Sequence, residues 1–225
     1  MKKLEAIIYD CDGVLFESHA ANLAYYNEIF AAFDYPAVHV EQKDVAHLCH
    51  TASSSQVLAG LMRSKDVPAA LEFAATLDYR QFIPLMKPMP QLHQVLEIVA
   101  CHYPLAIATN RGSSVVPILE HFALDQFFSA VVTSRDVENP KPAPDMLLLA
   151  ARHLGHQPQA CLFIGDSELD QAAAAAGSFH FLGYGERFMR ERSANRVLGH
   201  HRDLLKHLSI PISVVNEEFS SFREH

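Results

Sequence analysis

The sequence predicts an α/β protein with a doubly wound parallel sheet and a small helical domain inserted after the first strand. Three observations carry this prediction. Short apolar runs without polar alternation recur along the chain, as in strands buried on both faces of a parallel sheet. Helical patterns separate the runs, which is typical of right-handed crossovers. Residues 18–87 depart from the alternation, since they hold helical patterns and no clear strand.

The elements follow in order from these patterns. The first apolar run, at residues 6–9, ends at Asp10 and predicts the first strand. Within the insert, helices are predicted at 20–33, 45–48, 54–62 and 69–82, and prolines then mark the return to the sheet. Later strands are predicted at 105–108, 130–133, 161–164 and 179–182, with helices at 91–100, 114–122, 145–154 and 168–176.

The resulting domains are a core of residues 1–17 and 88–225 and a helical domain of residues 18–87. Towards the end of the chain, residues 187–208 fit a charged helix or loop, and residues 212–215 fit a late strand or an ordered extension.

Composition narrows the function classes. The 225 residues are 49% hydrophobic and 20% charged, as in an ordinary globular protein. Their net charge of −8 argues against non-specific nucleic-acid binding, which needs a basic surface. The N-terminus does not match a signal peptide, and no apolar stretch is long enough to span a membrane. With four widely spaced cysteines, the sequence predicts a cytoplasmic protein with reduced thiols, without nucleic-acid or membrane partners.

Two carboxylates, Asp10 and Asp12, directly follow the first predicted strand. Ligands of open α/β sheets collect at the carboxyl ends of the strands, and Gly13 allows the chain to turn there. Like charges this close favour a divalent cation, and Mg²⁺ prefers carboxylate and phosphate oxygens. One carboxylate can then attack phosphorus while the other transfers a proton. The alternative is a polar turn that ends a strand.

Thr109 and Asn110 follow the second predicted strand of the core. A hydroxyl, an amide and backbone N–H groups at a helix start can bind phosphate, although an ordinary helix N-cap explains the pair equally well. Lys141 lies between Pro140 and Pro142, which stiffen its segment and can direct its ammonium group at a phosphate. A surface lysine in a proline-rich loop is the alternative.

Asp166 ends the fourth predicted core strand, and Asp170 lies one helical turn later on the same side. This spacing predicts acid groups for metal binding beside the first pair. Acidic residues also favour any helix N-terminus, so the pair taken alone remains open to that interpretation.

The order and spacing of these segments resemble the haloacid dehalogenase-like superfamily, and within it the phosphoglycolate phosphatase and β-phosphoglucomutase-like members with a helical cap. The resemblance covers residues 4 to about 185. The segments that carry it are DCDGVLFES (10–18), TNR (109–111), NPKPAPDML (139–147) and GDSELDQAAAAAG (165–177).

The resemblance implies a phosphatase that works through an aspartyl-phosphate. Asp10 is expected to be the nucleophile and Asp12 the general acid and base. Thr109 and Lys141 are expected to bind the phosphoryl group, with Asn110 beside them. An acid at position 12 favours phosphoryl transfer over dehalogenation, because only the former has a leaving group to protonate.

The same resemblance implies a Mg²⁺ ion and a mobile cap. The ion is expected at Asp10, Asp166 and the backbone carbonyl of Asp12, with Asp170 in the metal site or orienting Lys141. The cap is expected to be the helical domain of residues 18–87, which excludes water when it closes.

The expected substrate is a small phosphorylated metabolite, and the expected state is a monomer or a homodimer. His50, in a cap loop with several serines, is a candidate to bind the leaving group; the alternative is a capped helix start with exposed histidines. Arg111 is the stronger further candidate, ahead of Glu17 and Arg135, because it directly follows Asn110.

Three other functions stay open. A phosphosugar mutase or a phosphonate hydrolase can use this fold, although the mutase-type cap histidine and arginine are absent near Asn22 and Ser53. A different class of function is a non-catalytic phosphate-binding or phosphorylation-switch protein.

Overall fold

A six-stranded parallel sheet lies at the centre of the computed structural model, which describes residues 3–190 and 197–210. The strand order is β5-β4-β1-β6-β7-β8, and β2 and β3 form a separate antiparallel pair. The strands are β1 (Ala6–Tyr9), β2 (Phe16–Glu17), β3 (Lys87–Pro88), β4 (Leu105–Thr109), β5 (Ala130–Thr133), β6 (Cys161–Gly165), β7 (His180–Tyr184) and β8 (Val197–Leu198).

Helices flank the central sheet and fill the segment between β2 and β3. They are α1 (His19–Ala32), α2 (Lys43–Thr51), α3 (Ser54–Leu61), α4 (Val67–Thr76), α5 (Leu92–Ala100), α6 (Val115–His121), α7 (Asp145–Leu154), α8 (Glu168–Gly177), α9 (Glu186–Arg190) and α10 (His201–His207). This arrangement confirms the predicted fold class.

Strand β1 shows why the sheet lacks polar alternation. Ile7 and Tyr9 pack into the apolar cluster on one face, and Ala6 and Ile8 pack into the cluster on the other. Successive side chains of a strand point to opposite faces, so a strand covered on both sides needs apolar residues throughout. Because β1, β4 and β6 run parallel, their carboxyl ends lie at the same edge of the sheet, and the residues that follow them there are polar.

Helices α1 to α4 pack around an apolar cluster of their own, which includes Ile29, Phe30 and Leu58. The chain leaves the sheet through β2 and returns through β3, with Glu17 opposite Lys87. The division into a core domain and a cap domain at these positions stays a prediction.

Two features differ from the predicted elements, and one predicted element lies outside the described residues. The helix predicted at 69–82 ends at Thr76, and single 3₁₀ turns follow at Tyr79–Gln81 and Ile83–Leu85. The Asp78 side chain accepts the Arg80 N–H in the first of them, which starts a new turn instead of continuing α4. The two-residue strands β2, β3 and β8 were not predicted either, since they are too short to show a period. The late strand considered at 212–215 lies outside the described residues.

None of the helices in the described part of the chain is both long enough and apolar enough to span a membrane.

Candidate active site

The structure brings the predicted site residues together at the carboxyl ends of the parallel strands. Asp10 follows β1, Thr109 ends β4 and Asp166 follows β6. Asp10, Thr109 and the more distant Lys141 are all buried. They line or adjoin a cavity of about 700 Å³ between the sheet and the helical segment, so one crevice can present all of them to a ligand.

Lys141 joins two of the predicted acids. Its Nζ lies 2.8 Å from Asp10 Oδ1 and 2.7 Å from Asp170 Oδ1, and the side chain is only about 2% exposed. The Asn110 amide bonds both backbone groups of Lys141, accepting the N–H at 3.0 Å and donating to the carbonyl at 3.2 Å. The peptide bond to Pro142 is cis. Although burial lowers the pKa of Lys141, the two carboxylates raise it above its usual value, so the group is an ammonium.

Asp10, Asp166 and Asp170 form a cluster with excess negative charge. One oxygen from each lies within 4.8 Å of the others, and Lys141 supplies a single positive charge. Burial and the Asp170 carboxylate raise the pKa of Asp10, and together they outweigh the opposing effect of Lys141. Such a cluster favours a bound cation, and its oxygen donors are the ligands that Mg²⁺ prefers.

Gly13 makes room for this cluster. A Cβ atom at Gly13 would lie 1.9 Å from Asp166 Oδ2, and the residue has a φ of +70°. A glycine is therefore needed both for the turn after β1 and for the approach of the Asp166 carboxylate. The residues fit a small divalent cation, because Gly13 has no side chain and leaves space for the Asp166 carboxylate to join the other oxygen donors of the cluster.

Asp170 is fully buried, and both of its oxygens are engaged. Oδ1 accepts from Lys141, and Oδ2 accepts the Ser167 hydroxyl at 2.6 Å and the N–H groups of Ser167 and Asp166. Whether Asp170 binds the metal or only orients its neighbours stays a prediction.

Asp12 faces a different environment, although it is only two residues from Asp10. Its Oδ1 lies 2.5 Å from Arg111 Nη2 and also accepts the Ser18 hydroxyl and, at 3.2 Å, the Asn22 amide. Burial raises the pKa of Asp12, but Arg111, His50 and the Ser18 hydroxyl together outweigh it and hold the pKa below the usual value. The Asp12 carboxylate is thus separate from the acidic cluster, and only its predicted backbone contact remains for a metal.

Arg111 is buried in the crevice and held from several sides. Its guanidinium stacks 4.8 Å above the Tyr79 ring, and Nη2 also donates to Asn22 Oδ1 at 2.7 Å. Sequence reasoning missed Ser18, Asn22 and Tyr79 as members of this site. Ser18 closes the DCDGVLFES segment and Asn22 follows one helical turn later, which is a usable signal, whereas nothing in the sequence indicates Tyr79.

His50 is buried. The alternative interpretation, in which the histidines of this segment are exposed, is therefore wrong for this residue. Its ring stacks on His19 with 3.6 Å between centroids, and Nε2 lies 3.8 Å from Asp166 Oδ2. The other half of that alternative is confirmed, because Ser53 and Gln56 form a capping box at the start of α3. Arg135 lines the crevice as an exposed side chain.

Comparison with known proteins gives a family match over most of the chain. The family model described as haloacid dehalogenase-like hydrolase matches residues 7–183. Phosphoglycolate phosphatase of Escherichia coli K12 is 49% identical over 76 residues, which is 33% of this chain and 30% of that protein. The corresponding protein of Salmonella typhimurium LT2 is 47% identical over 75 residues, 32% of this chain. The matched segment spans about 30% of the length of these curated relatives.

Solved structures match along nearly the whole chain. A HAD-superfamily hydrolase of subfamily IA from Geobacter sulfurreducens is 33% identical, with a TM-score of 0.75, and the match covers 90% of this chain and 98% of that one. CbbY of Rhodobacter sphaeroides, in complex with phosphate, is 21% identical, with a TM-score of 0.75 over 92% of this chain and all of that one, and supports the fold alone.

Proposed function

The chain belongs to the haloacid dehalogenase-like hydrolase family, and on that basis we propose that it is a Mg²⁺-dependent phosphatase acting on a small phosphomonoester. The observation that carries the proposal is the separation of Asp10 from Asp12. Asp10 belongs to the acidic cluster with Lys141, whereas Asp12 is paired with Arg111. Two carboxylates on one loop with different partners suit different roles in one reaction.

In the proposed reaction, an Asp10 oxygen attacks phosphorus and the bond to the leaving oxygen breaks. Asp12 gives a proton to that oxygen, which leaves as an alcohol. Asp12 can hold this proton when the substrate draws Arg111 away, because burial by itself raises the pKa of the carboxyl group. Water then attacks the aspartyl-phosphate on Asp10 while Asp12 takes up a proton, which releases phosphate and restores both residues. Lys141 and Thr109 hold the phosphoryl oxygens, and Asn110 supports Lys141 through the backbone contacts described above.

The metal fits the oxygen-rich side of the site. We propose that Asp10, Asp166 and the Asp12 carbonyl hold Mg²⁺, with Asp170 beside them. When bound, the ion supplies positive charge that reduces the repulsion between the nucleophile and the phosphate oxygens.

We further propose that residues 18–87 are a cap on a core of residues 1–17 and 88–225. The proposed boundaries coincide with the β2–β3 pair, where the chain leaves and re-enters the core. His47 of α2 lies 3.0 Å from Glu168 of α8, a contact between the two parts that supports a closed state. Closure over the crevice excludes water from the reacting phosphate.

Phosphoglycolate is the first substrate to test, because the curated relatives are named for it. The position of Arg111 favours a substrate whose leaving group carries a carboxylate. The guanidinium now pairs with Asp12 and can pair with the substrate carboxylate instead. His50 and Asn110 lie on the same crevice and are further candidates for contact with the substrate.

Hydrolysis of 4-nitrophenyl phosphate tests the proposed activity. We expect Mg²⁺-dependent turnover that EDTA abolishes, and Asp10→Asn to lower kcat on the order of 1000-fold or more, because the amide cannot act as the nucleophile. Asp125→Asn, an exposed aspartate outside the site, is the matched control and should leave kcat unchanged. Rates of hydrolysis of phosphoglycolate and of phosphates with an uncharged alkyl group then define the substrate class. A folded wild type that hydrolyses none of these esters would refute the proposal, as would full activity in Asp10→Asn.

A further inference from the structure

His50 places an unpartnered nitrogen beside the acidic cluster. The residue lies in the last turn of α2, and among the described residues its buried Nε2 has no hydrogen-bond partner. A buried polar nitrogen without a partner is unfavourable, so its position calls for a partner. Asp166 Oδ2 lies 3.8 Å away, so a small shift of either side chain brings it within hydrogen-bond distance. The geometry thus points to a direct contact between the ring and this carboxylate.

Asn22 determines which ring nitrogen carries the proton. Its Oδ1 accepts from the Tyr79 hydroxyl at 2.9 Å and from Arg111 Nη2 at 2.7 Å. Both of those groups are donors here, so the oxygen of the amide is identified. The amide nitrogen must then be the atom that faces Asp12 Oδ1 at 3.2 Å and His50 Nδ1 at 3.3 Å.

The neutral His50 ring is therefore protonated at Nε2. The Asn22 amide nitrogen can only donate, so His50 Nδ1 has to accept, and the ring proton lies on the opposite nitrogen. That proton is on the side of Asp166. A protonated nitrogen cannot bind a metal ion, so His50 faces the acidic cluster as an available hydrogen-bond donor and not as one of its ligands.

Two neighbours restrict the ring and the carboxylate. His19 stacks on His50 with an angle of 15° between the ring planes, which limits rotation of the imidazole. On another side, Asp166 Oδ2 occupies the space that a Gly13 side chain would take. Carboxylates that bind metals are commonly oriented by such outer donors, and removal of the donor weakens the metal site.

We propose that His50 is a positioning residue for Asp166, and that the helical segment thereby contributes to metal binding. The inference rests on the proposed Mg²⁺ site. Its consequence is that metal affinity depends on a residue from outside the parallel sheet, so metal binding and the closed position of α2 favour each other.

The test is the Kd for Mg²⁺ of the full chain, measured by isothermal titration calorimetry without substrate. His50→Leu removes the donor and should raise the Kd about 10-fold or more. His50→Gln keeps an N–H near the position of Nε2 and should retain most of the affinity, whereas the shorter amide of His50→Asn should not. Lys43→Gln, which changes an exposed residue of the same helix, is the matched control and should bind Mg²⁺ like the wild type. The comparison of glutamine with asparagine remains decisive if the leucine variant does not fold.

The outcomes distinguish a failure of the role of His50 from a failure of the proposed metal site. An unchanged Kd in folded His50→Leu, or equal affinities of His50→Gln and His50→Asn, overturns the role of His50 and leaves the phosphatase proposal standing. Equal loss in Lys43→Gln also overturns it, because the effect would then not be specific to His50. A wild type that binds no Mg²⁺ overturns both.

Discussion

Replacing Arg111 with methionine leaves the Asp12 carboxylate buried without its main partner. The two side chains are 6% and 9% exposed and meet at 2.5 Å, so the guanidinium is the main group that offsets the buried charge of Asp12. Removing one partner of a buried ion pair costs about 3–5 kcal/mol of unfolding free energy. Methionine retains much of the apolar stem that packs near Tyr79, so the loss of charge dominates the effect.

The loss should depend on pH in a defined direction. In the wild type, Arg111 holds the pKa of Asp12 below its usual value, so the pair stabilises the fold above that value and loses this effect as pH falls through the folded-state pKa. In the variant, burial raises the pKa of Asp12, and the carboxyl group takes up a proton as pH falls. The difference in unfolding free energy should therefore grow as pH rises, from a small value below about pH 4 to its largest value by about pH 7.

Urea unfolding followed by circular dichroism, in EDTA and at several pH values, measures this difference. Asp12→Asn combined with Arg111→Met should recover most of the stability, because the neutral amide needs no cation. Arg80→Met breaks an exposed pair with Asp78 and serves as the control, with no measurable change expected. A loss in Arg111→Met that matches the control, or that is constant with pH, would refute the reasoning.

Two further predictions concern the metal site. Gly13→Ala should weaken Mg²⁺ binding in calorimetry, because its Cβ would displace Asp166. Gly155→Ala has the same backbone strain, at a φ of +76°, but open space around it, so it should lose about 1 kcal/mol of stability without loss of Mg²⁺ affinity; equal Kd values in the two variants would contradict this. Mg²⁺ affinity should also rise from about pH 5 to 8, because burial and Asp170 raise the pKa of Asp10 and the ion must displace that proton. A Kd that is constant with pH would exclude this competition.

The fold was predictable because strands that are buried on both faces consist of uninterrupted apolar residues, which are easily recognised in the sequence. Residues 6–9, 105–108, 130–132 and 161–164 are apolar throughout, and each run lies within an observed strand. Parallel order then brings the ends of the strands to one edge, so the convergence of Asp10, Thr109 and Asp166 follows from topology alone. The position of Lys141 beside them needed the family resemblance, since a proline-rich loop has no period.

The partners of the site were less predictable, because they are contacts between segments with no shared pattern. Tyr79 bonds Asn22 across 57 positions, and Arg111 bonds Asp12 across 99. Such contacts depend on how the helical segment packs over the sheet, and apolar spacing does not determine that orientation. The burial of His50 was missed for the same reason.

Asn22 shows why these contacts matter together. An amide has one group that accepts and one that donates, and both are fully used here, with two hydrogen bonds at Oδ1 and two at Nδ2. Through them one side chain of α1 contacts both Arg111 and Asp12 and also the His50 ring that faces Asp166. A shift of α1 is therefore expected to disturb the proposed proton-transfer residue and the proposed metal ligand at once. Because α1 belongs to the helical segment, the position of that segment would set the geometry on both sides of the site proposed to bind the phosphate.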